Sequence, residues 1–447
     1  MKTLTALAVA ASLLAAAHAD TNSWPTAPLT LADALETALR QSPALLKGKQ
    51  DVEEAHGLSL QLRSAARPKL AAGGSARQLD NGGIEQANLG PATVQFQNDT
   101  QWGANVEVSQ PLFTAGKITS SLRTAKLTTE AALDQYQALV ADTLVDIRIA
   151  YDDVLLAAEL IKTQEASVDL LGRELEDQKR RFEAGTAPRF NVLRAEVELA
   201  NAKPRLIKAR NALRIGKNRL ATLLGWNIPT DAGGDLPLTL ADTLQAEPFS
   251  VDLSAALLKA MERRPELAAL RIQEKIRDED IRRAKADYYP QLSASAGWRW
   301  QNKTFTGRVT DYVDGWVVGG QADWSIWDFG LTQGKVSSAK ARREKARLEV
   351  DDTGRKIELE VRTTHSTFLE AKDVLESQQK VIEQAEEALR LARARTDAGS
   401  GTQLDVLSAQ AALTEARTTY SQALRDYAVA RARLERAMGE GAVLTKR

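Results

Sequence analysis

Gln291-Leu292-Ser293-Ala294-Ser295-Ala296-Gly297-Trp298-Arg299-Trp300-Gln301 alternates without an error. Leu292, Ala294, Ala296, Trp298 and Trp300 share one face, and polar residues or glycine fill the other, which is the period of a β-strand with one apolar side. Two further stretches behave alike. Trp316, Val318, Ala322, Trp324 and Ile326 alternate with Val317, Gly319, Gln321, Asp323 and Ser325, and Trp102, Ala104, Val106 and Val108 alternate with Gly103, Asn105, Glu107 and Ser109. A fourth, about Lys69 to Arg77, is weaker and rests mainly on its match to the stretch at Gln291. Turn-rich segments lie between them, Asp80-Asn81-Gly82-Gly83 with Gly90-Pro91, and Asn302 to Gly315. The pattern predicts two β-hairpins with long loops, at about 69–111 and 291–326.

These strands sit inside a duplication. Leu31, Ala34, Leu35, Ala38, Pro43, Leu45, Pro68 and Leu70 recur 222 positions later as Leu253, Ala256, Leu257, Ala260, Pro265, Leu267, Pro290 and Leu292. Gly116, Gly185, Val192, Leu193, Ala195, Leu220 and Gly225 recur 214 positions later as Gly330, Gly399, Val406, Leu407, Ala409, Leu434 and Gly439. The one slip falls between Pro68 and Gly116. A repeat this long is not a solenoid unit; it predicts a pseudo-twofold chain of two structural repeats, 20–225 and 251–439, joined by a Pro- and Gly-bearing linker at 226–250 and followed by a tail at 440–447.

The remainder is helical. Ile118, Leu122, Ala125, Ala132, Tyr136, Val140, Leu144, Ile147, Tyr151, Val154, Ala158 and Ile161 follow three-and-four steps with no proline, predicting a rod of roughly 100 Å at 1.5 Å per residue. Leu331 to Thr396 repeats it. Such seams require partner helices, and the charged flanks read as solvated surface. Each rod ends at a glycine, and a returning helix completes helical hairpins over 116–225 and 331–439. Pro204, matched by Thr418, predicts a kink in the first returning helix.

The amino terminus has the form of an export leader: Lys2, an apolar stretch from Leu4 to Ala17, and Ala17-His18-Ala19 as a small-x-small cleavage site, predicting removal of 1–19 and a mature start at Asp20. There is no cysteine, hence no disulfide and no lipid anchor on cysteine, and 59 basic side chains balance 59 acidic ones. That balance gives no electrostatic reason to bind nucleic acid. After the leader no apolar run is long enough for a membrane helix. The richest, Ala138 to Ile161, is interrupted by Asp142, Asp146, Arg148, Asp152, Asp153 and Glu159. Any membrane contact is therefore made by strands. A soluble sheet with one buried face gives the same alternation. Export, duplication and tryptophan placement favour the membrane: Trp102, Trp298, Trp300, Trp316, Trp324 and Trp327 stand where a membrane strand carries its aromatic girdle. A membrane sheet must close, single-chain barrels need at least about eight strands, and this chain supplies four, so closure is expected to be shared between chains.

Ser109-Gln110-Pro111-Leu112-Phe113 with Gly116, Ala150-Tyr151 with Leu155-Leu156, Arg181-Phe182-Glu183-Ala184-Gly185 with Asn191-Val192-Leu193, and Leu220 with Leu223-Leu224-Gly225 resemble TolC-type outer-membrane efflux proteins. So do Ser325-Ile326-Trp327 with Gly330, Ala398-Gly399 with Leu404-Asp405-Val406-Leu407, and Met438-Gly439 in the second copy. The resemblance covers essentially the mature chain. It implies a homotrimer with a shared barrel of twelve strands over a periplasmic helical tunnel. It also implies a passive duct in the outer membrane of a Gram-negative bacterium, joined through a periplasmic adaptor to an inner-membrane transporter, with no cofactor.

The resemblance places adaptor contacts at the hairpin tips, here Ala184-Gly185-Thr186 and Ala398-Gly399-Ser400-Gly401, where the glycines also serve simply as left-handed helix ends. It places a carboxylate gate beyond the second tip. Asp405 matches the first gate position, while Ser408 stands where a second carboxylate belongs and Asn191 is the first-copy equivalent of Asp405. Threefold symmetry would set three Asp405 carboxylates in a ring. Thr402 and Asp405 also have the spacing of a capping box, and bonding among Asn191, Arg194 and Asp405 is a further expectation. For catalysis there is little: His56 and His365 are distant in sequence and set in helical patterns, and HExxH, P-loop and GxSxG motifs are absent. The competing non-enzymatic reading is a soluble periplasmic coiled-coil scaffold, which explains the rods but leaves the alternating segments and their tryptophans without a purpose.

Overall fold

The structure, a computed structural model, describes residues 27–80, 86–89, 92–95, 99–228, 235–303 and 310–440, with backbone alone at 86–89 and 92–95. The leader and its cleavage site, Asn81-Gly82-Gly83, Gly90-Pro91, Pro229 with Gly233-Gly234, the middle of the Asn302 to Gly315 loop, and the tail from 441 lie outside the described residues.

The elements run α1 (Leu31–Gln41), α2 (Pro43–Ser64), β1 (Lys69–Gln78), β2 (Gln86–Leu89), β3 (Ala92–Gln95), β4 (Thr100–Phe113), α3 (Lys117–Glu183) and α4 (Arg189–Leu224). The order then repeats as α5 (Leu253–Arg263), α6 (Pro265–Lys285), β5 (Gln291–Asn302), β6 (Tyr312–Asp323), α7 (Leu331–Asp397) and α8 (Gln403–Ala437). The copies match closely: α1 and α5 have 11 residues each, and α3 and α7 have 67 each. Even the left-handed residues come in pairs 214 apart, Gly116 and Gly330 at φ +87° and +89°, Gly185 and Gly399 at +75° and +73°, Gly225 and Gly439 at +81° and +77°, with Ala115 and Phe329 at +48° and +50°. Gly225 is confined twice over, since a Cβ there would run into the Gln41 carbonyl oxygen.

Two compact units emerge. One contains 1–50, 136–265 and 354–447; the other contains 51–135 and 266–353. In the first, α1 starts at a capping box between Thr30 and Asp33, and its apolar face enters a core with Ile147, Ala150, Tyr151 and Val154 of α3, Leu220, Ala221 and Leu224 of α4, and Leu236 and Leu238 of the segment between the copies. That segment carries no helix among its described residues but is not loose. Leu240 bridges to Leu29 in parallel, and the Asp242 carboxylate accepts hydrogen bonds from the Leu31 N–H (2.8 Å) and the Tyr151 hydroxyl (2.7 Å). Phe368 packs edge-on to Phe249 (5.5 Å) and tilted against Tyr427 (5.3 Å), with the Arg431 guanidinium over the Phe249 ring at 5.1 Å. α4 continues unbroken through Pro204.

The second unit holds the sheet. Its strands pair antiparallel in the order β1-β4-β5-β6, so the two hairpins meet through β4 and β5, and β1 and β6 are the edges. Two features depart from the sequence reading. β2 and β3 form a small hairpin of their own within the first loop, which turn signals alone had concealed because its arms are four residues each. β6 ends at Asp323 rather than near Ile326: the Trp324 indole N–H donates to the Tyr288 carbonyl (3.1 Å), and Asp328 already caps α7 through the Gly330 and Thr332 N–H groups (3.1 and 2.8 Å). Below the strands, Asp287 joins both copies by accepting from Lys117 (3.3 Å) and Lys335 (2.8 Å).

Candidate functional site: the sheet faces and the hairpin tips

Strand register sorts the side chains onto two faces. Trp298 lies opposite Trp316 and Val106, Ala296 opposite Val318 and Val108, and Trp300 opposite Ala104. This face carries Leu70, Trp102, Trp298, Trp300 and Trp316, and little of the unit covers it: Trp316 is 73% exposed, Leu70 72% and Val318 68%. Trp298 donates its indole N–H to Asp314 (2.9 Å), and Trp102 lies 6.3 Å from the Tyr312 ring, so the aromatic cluster sits at the loop end of the strands. Trp324 and Trp327 stand at the helix end, outside the strand, Trp327 packed edge-on to Phe329. Four of the six sequence-predicted tryptophans therefore share one strand face, and the other two mark its opposite border.

Both hairpin tips are closed by backbone. At the first, Gly185 N–H bonds Phe182 O (2.9 Å) and Thr186 N–H bonds Arg181 O (2.8 Å); at the second, Gly399 N–H bonds Thr396 O (3.0 Å) and the Ser400 and Gly401 N–H groups bond Arg395 O (2.9 Å each). These are the carbonyls a helix end leaves free, satisfied through a left-handed glycine. Ala184, Thr186 and Ala398 complete the exposed tips.

α8 starts at Thr402 with a reciprocal capping box. Asp405 Oδ2 accepts from the Thr402 N–H (2.9 Å) and hydroxyl (2.8 Å), and these bonds hold its carboxyl below the usual carboxylate range. The expected group of Asn191, Arg194 and Asp405 does not form within the chain. Asp405 turns to Thr402, the Ser408 hydroxyl donates back to the Asp405 carbonyl (3.0 Å), and Asn191 O instead receives the Gln403 amide at 3.5 Å. Gln403 also reaches Glu174 Oε1 (3.4 Å), which in turn accepts from buried Gln178 (2.9 Å). Gln403 thus ties the start of α8 to α3 and α4, beside an apolar contact of Leu407 with Leu171 and Ala202.

Sequence reasoning missed this glutamine group and a second polar cluster. Asp152 on α3 is 7% exposed and its Oδ2 has no partner. Burial raises its carboxyl to about 6 against the pull of Arg148 and Arg425. Around it Arg425 pairs with Asp153 (2.6 Å), Arg148 with Glu435 (2.9 Å), and Arg431 with both Glu435 (2.8 Å) and Glu247 (2.7 Å). His365 packs against Val251 O (3.1 Å), and among the described residues no group of three or more His, Cys, Asp or Glu is arranged for a metal.

The sequence profile of the outer membrane efflux protein family matches residues 34–226 and 256–440, both copies of the repeat. The chain belongs to this family. It is 25% identical over 418 residues to the alkaline protease secretion protein AprF of Pseudomonas aeruginosa, covering 91% of this chain and 83% of AprF. It is 27% identical over 402 residues to the cobalt-zinc-cadmium resistance protein CzcC of Cupriavidus metallidurans, covering 86% and 90%. The fold resembles the crystal structure of the outer membrane protein VceC of Vibrio cholerae at a TM-score of 0.76 and 19% identity, over 92% of this chain and 96% of that one. The chain is an outer-membrane efflux protein of a Gram-negative bacterium, and its four strands and long helices are those of a TolC-type channel.

Proposed function

We propose that three copies of this chain close one barrel of twelve strands, β6 of each pairing with β1 of the next, above a common helical tunnel. The duct is passive, conducting what an inner-membrane transporter delivers through a periplasmic adaptor, and the chain performs no catalysis. The observation carrying this reading is the uncovered apolar face of a sheet whose two edges are unpaired among the described residues. In water that face and those edges would be an aggregation surface; in a closed membrane barrel lipid covers the first and neighbours pair the second. β5 and β6 have 12 residues each, enough for a tilted membrane strand. Trp102, Trp298, Trp300 and Trp316 form the outer aromatic girdle, and Trp324 and Trp327 the periplasmic one. A soluble scaffold would leave the same face bare. Carbonate washing followed by detergent extraction separates the two: the chain stays with the outer membrane through carbonate, and release by carbonate would sink the duct.

The exposed tips Ala184-Gly185-Thr186 and Ala398-Gly399-Ser400-Gly401 are the adaptor contacts, where a turn bare of large side chains lets a partner approach the backbone. Cysteine at Gly399, in a chain without other cysteines, should crosslink to the adaptor in whole cells. Asp405, ionised by its cap, supplies the ring at the closed end; Asn191, Arg194 and Ser408 add polar, not acidic, lining. Replacing Asp405 by alanine removes the ring charge and the carboxylate half of the capping box, while the Thr402 hydroxyl keeps its bond from the backbone N–H at that position. The expected outcome in planar bilayers is larger single-channel conductance and weaker block by divalent cations; unchanged values on both counts would take Asp405 out of the gate. Gln403→Ala cuts the tie to Glu174 and Asn191 while leaving the cap, and is expected to raise conductance without altering cation block. Relatives 25% and 27% identical to this chain are named for protease secretion and for metal resistance, which supports a cargo set by the pump and adaptor rather than by the duct.

A further inference from the structure

The other face of the sheet carries its charge unevenly. Register places Lys69, Gly73, Ser75 and Arg77 of β1, Gln101, Gly103, Asn105, Glu107 and Ser109 of β4, the Gln291 to Gln301 polar set of β5, and Val313, Gly315, Gln321 and Asp323 of β6 on this side. Of its strand acids, Asp323 lies at the end where the strands join the helices, and Glu107 stands mid-strand, one row from Arg299 and lining a smaller cavity with it. Arg77 and Arg299 lie toward the loop end, with Asp99, Lys303 and Asp311 at the strand ends beyond them. Arg77 and Arg299 line a concavity of about 880 Å³ with Asn105, Gln101 and Gln301, and no acidic side chain lines it.

The two arginines are held and uncovered by their neighbours. Arg77 donates through Nη2 to Gln101 Oε1, its cross-strand partner, at 3.0 Å, which fixes the guanidinium on the polar face. Arg299 stands in a row across the sheet, Gly73, Asn105, Arg299, Gly315. A Cβ on Gly315 would touch nothing within 4 Å, while one on Gly73 would meet Asn105 Oδ1 at 2.9 Å. The glycines leave open space beside Arg299 and let Asn105 fold away from it. Both arginines are exposed. A guanidinium fork presents parallel N–H donors to carboxylate or phosphate oxygens.

We propose that Arg77 and Arg299 form an anion-binding ring in the outer half of the barrel, taking multivalent carboxylates or phosphates from the lumen. This rests on the duct reading, which turns the polar face inward and repeats the pair three times, giving six guanidinia around one water-filled passage. The ring is opposite in sign to the Asp405 carboxylates, so an anionic solute in the barrel meets attraction and a cationic one does not. Rings of like charge in a pore set selectivity in this way, and the low dielectric of the barrel wall strengthens them.

The test is planar-bilayer recording of the purified trimer with tripolyphosphate added on the loop side. Wild type is expected to show block from that side. The double variant Arg77→Gln with Arg299→Gln is expected to lose that block, with half-blocking concentration raised at least about tenfold, and to shift its reversal potential toward cations, the chloride-to-potassium permeability ratio falling about threefold. Since the natural chain has no cysteine, Arg299→Cys gives a second route free of any folding question. A cationic thiol reagent applied to the open channel should restore block and an anionic one should deepen its loss. Channels that conduct but keep the same reversal potential and block in every variant overturn the ring and leave the duct standing. Failure of wild type to form any channel overturns the duct itself.

Discussion

Arginine in place of Val318 is expected to remove the protein from the outer membrane, while arginine in place of its neighbour Gly319 is tolerated. The two positions adjoin in β6 but point to opposite faces, because the side-chain period of a strand is two. Val318 lies opposite Ala296 on the apolar side and is 68% exposed in one chain. On the surface of a soluble protein such an exposed position accepts arginine within about 0.5 kcal/mol. Facing lipid near the middle of a barrel, the same change costs about 2–4 kcal/mol for each copy, and a trimer carries it three times. Gly319 lies opposite Ser295 on the polar side, with nothing within 4 Å of an added Cβ, so its arginine enters the lumen. The measurement is the amount of heat-modifiable trimer in the outer-membrane fraction. Val318→Arg should reduce it to near background and Gly319→Arg should leave it close to wild type. Equal recovery of both would mean that lipid does not touch this face.

The contrast between adjacent residues shows why so much of the sheet was legible in sequence. Period two is a local signal, and Leu292 to Trp300 keeps it over five successive apolar positions without needing any distant contact. The paired left-handed glycines were legible for a similar reason, since a helix end demands a residue that adopts positive φ, whatever surrounds it. What failed to show depended on contacts between distant segments. Trp324 continues the alternation perfectly, and only the Tyr288 carbonyl draws its indole out of the strand. Gln403 and Gln410 sit in a helical pattern that reads as solvated surface, yet Gln410 is 3% exposed, and its amide group has no partner within the chain. The capping role of Asp405 was written in its spacing from Thr402, but its separation from Arg194 was not, because that depends on how two hairpins separated by more than 200 residues pack.

Asp152 is the strongest case of a residue whose sequence context misleads, and it leads to the second large effect expected. In the sequence it simply breaks an apolar run. In the fold it is a buried carboxyl whose Oδ2 makes no hydrogen bond, raised from 3.8 to about 6 by desolvation, with Arg148 and Arg425 opposing and Asp153 adding to the rise. Because the folded form holds this proton more tightly than the unfolded chain does, folding binds a proton between those two values, and stability rises as pH falls. The penalty of ionising Asp152 is fully present above about pH 6, shrinks on acidification, and is gone below the unfolded value near 4. At 1.36 kcal/mol per pH unit the shift corresponds to about 3 kcal/mol per chain. Asp152→Asn keeps the shape and removes the charge, so it should raise the apparent melting temperature of detergent-solubilised trimer by several degrees at pH 7.5. At pH 4 it should change little, and the melting curves of the variant should lose the dependence on pH between about 4 and 6 that wild type shows. A variant that melts below wild type at pH 7.5, or keeps its slope, would mean that the ionised carboxylate is stabilised by Arg148 and Arg425 more than burial opposes it. The same cluster joins α3 to α8 through Arg425 and Asp153, so the pH term acts where these two helices meet, and acidification tightens that junction.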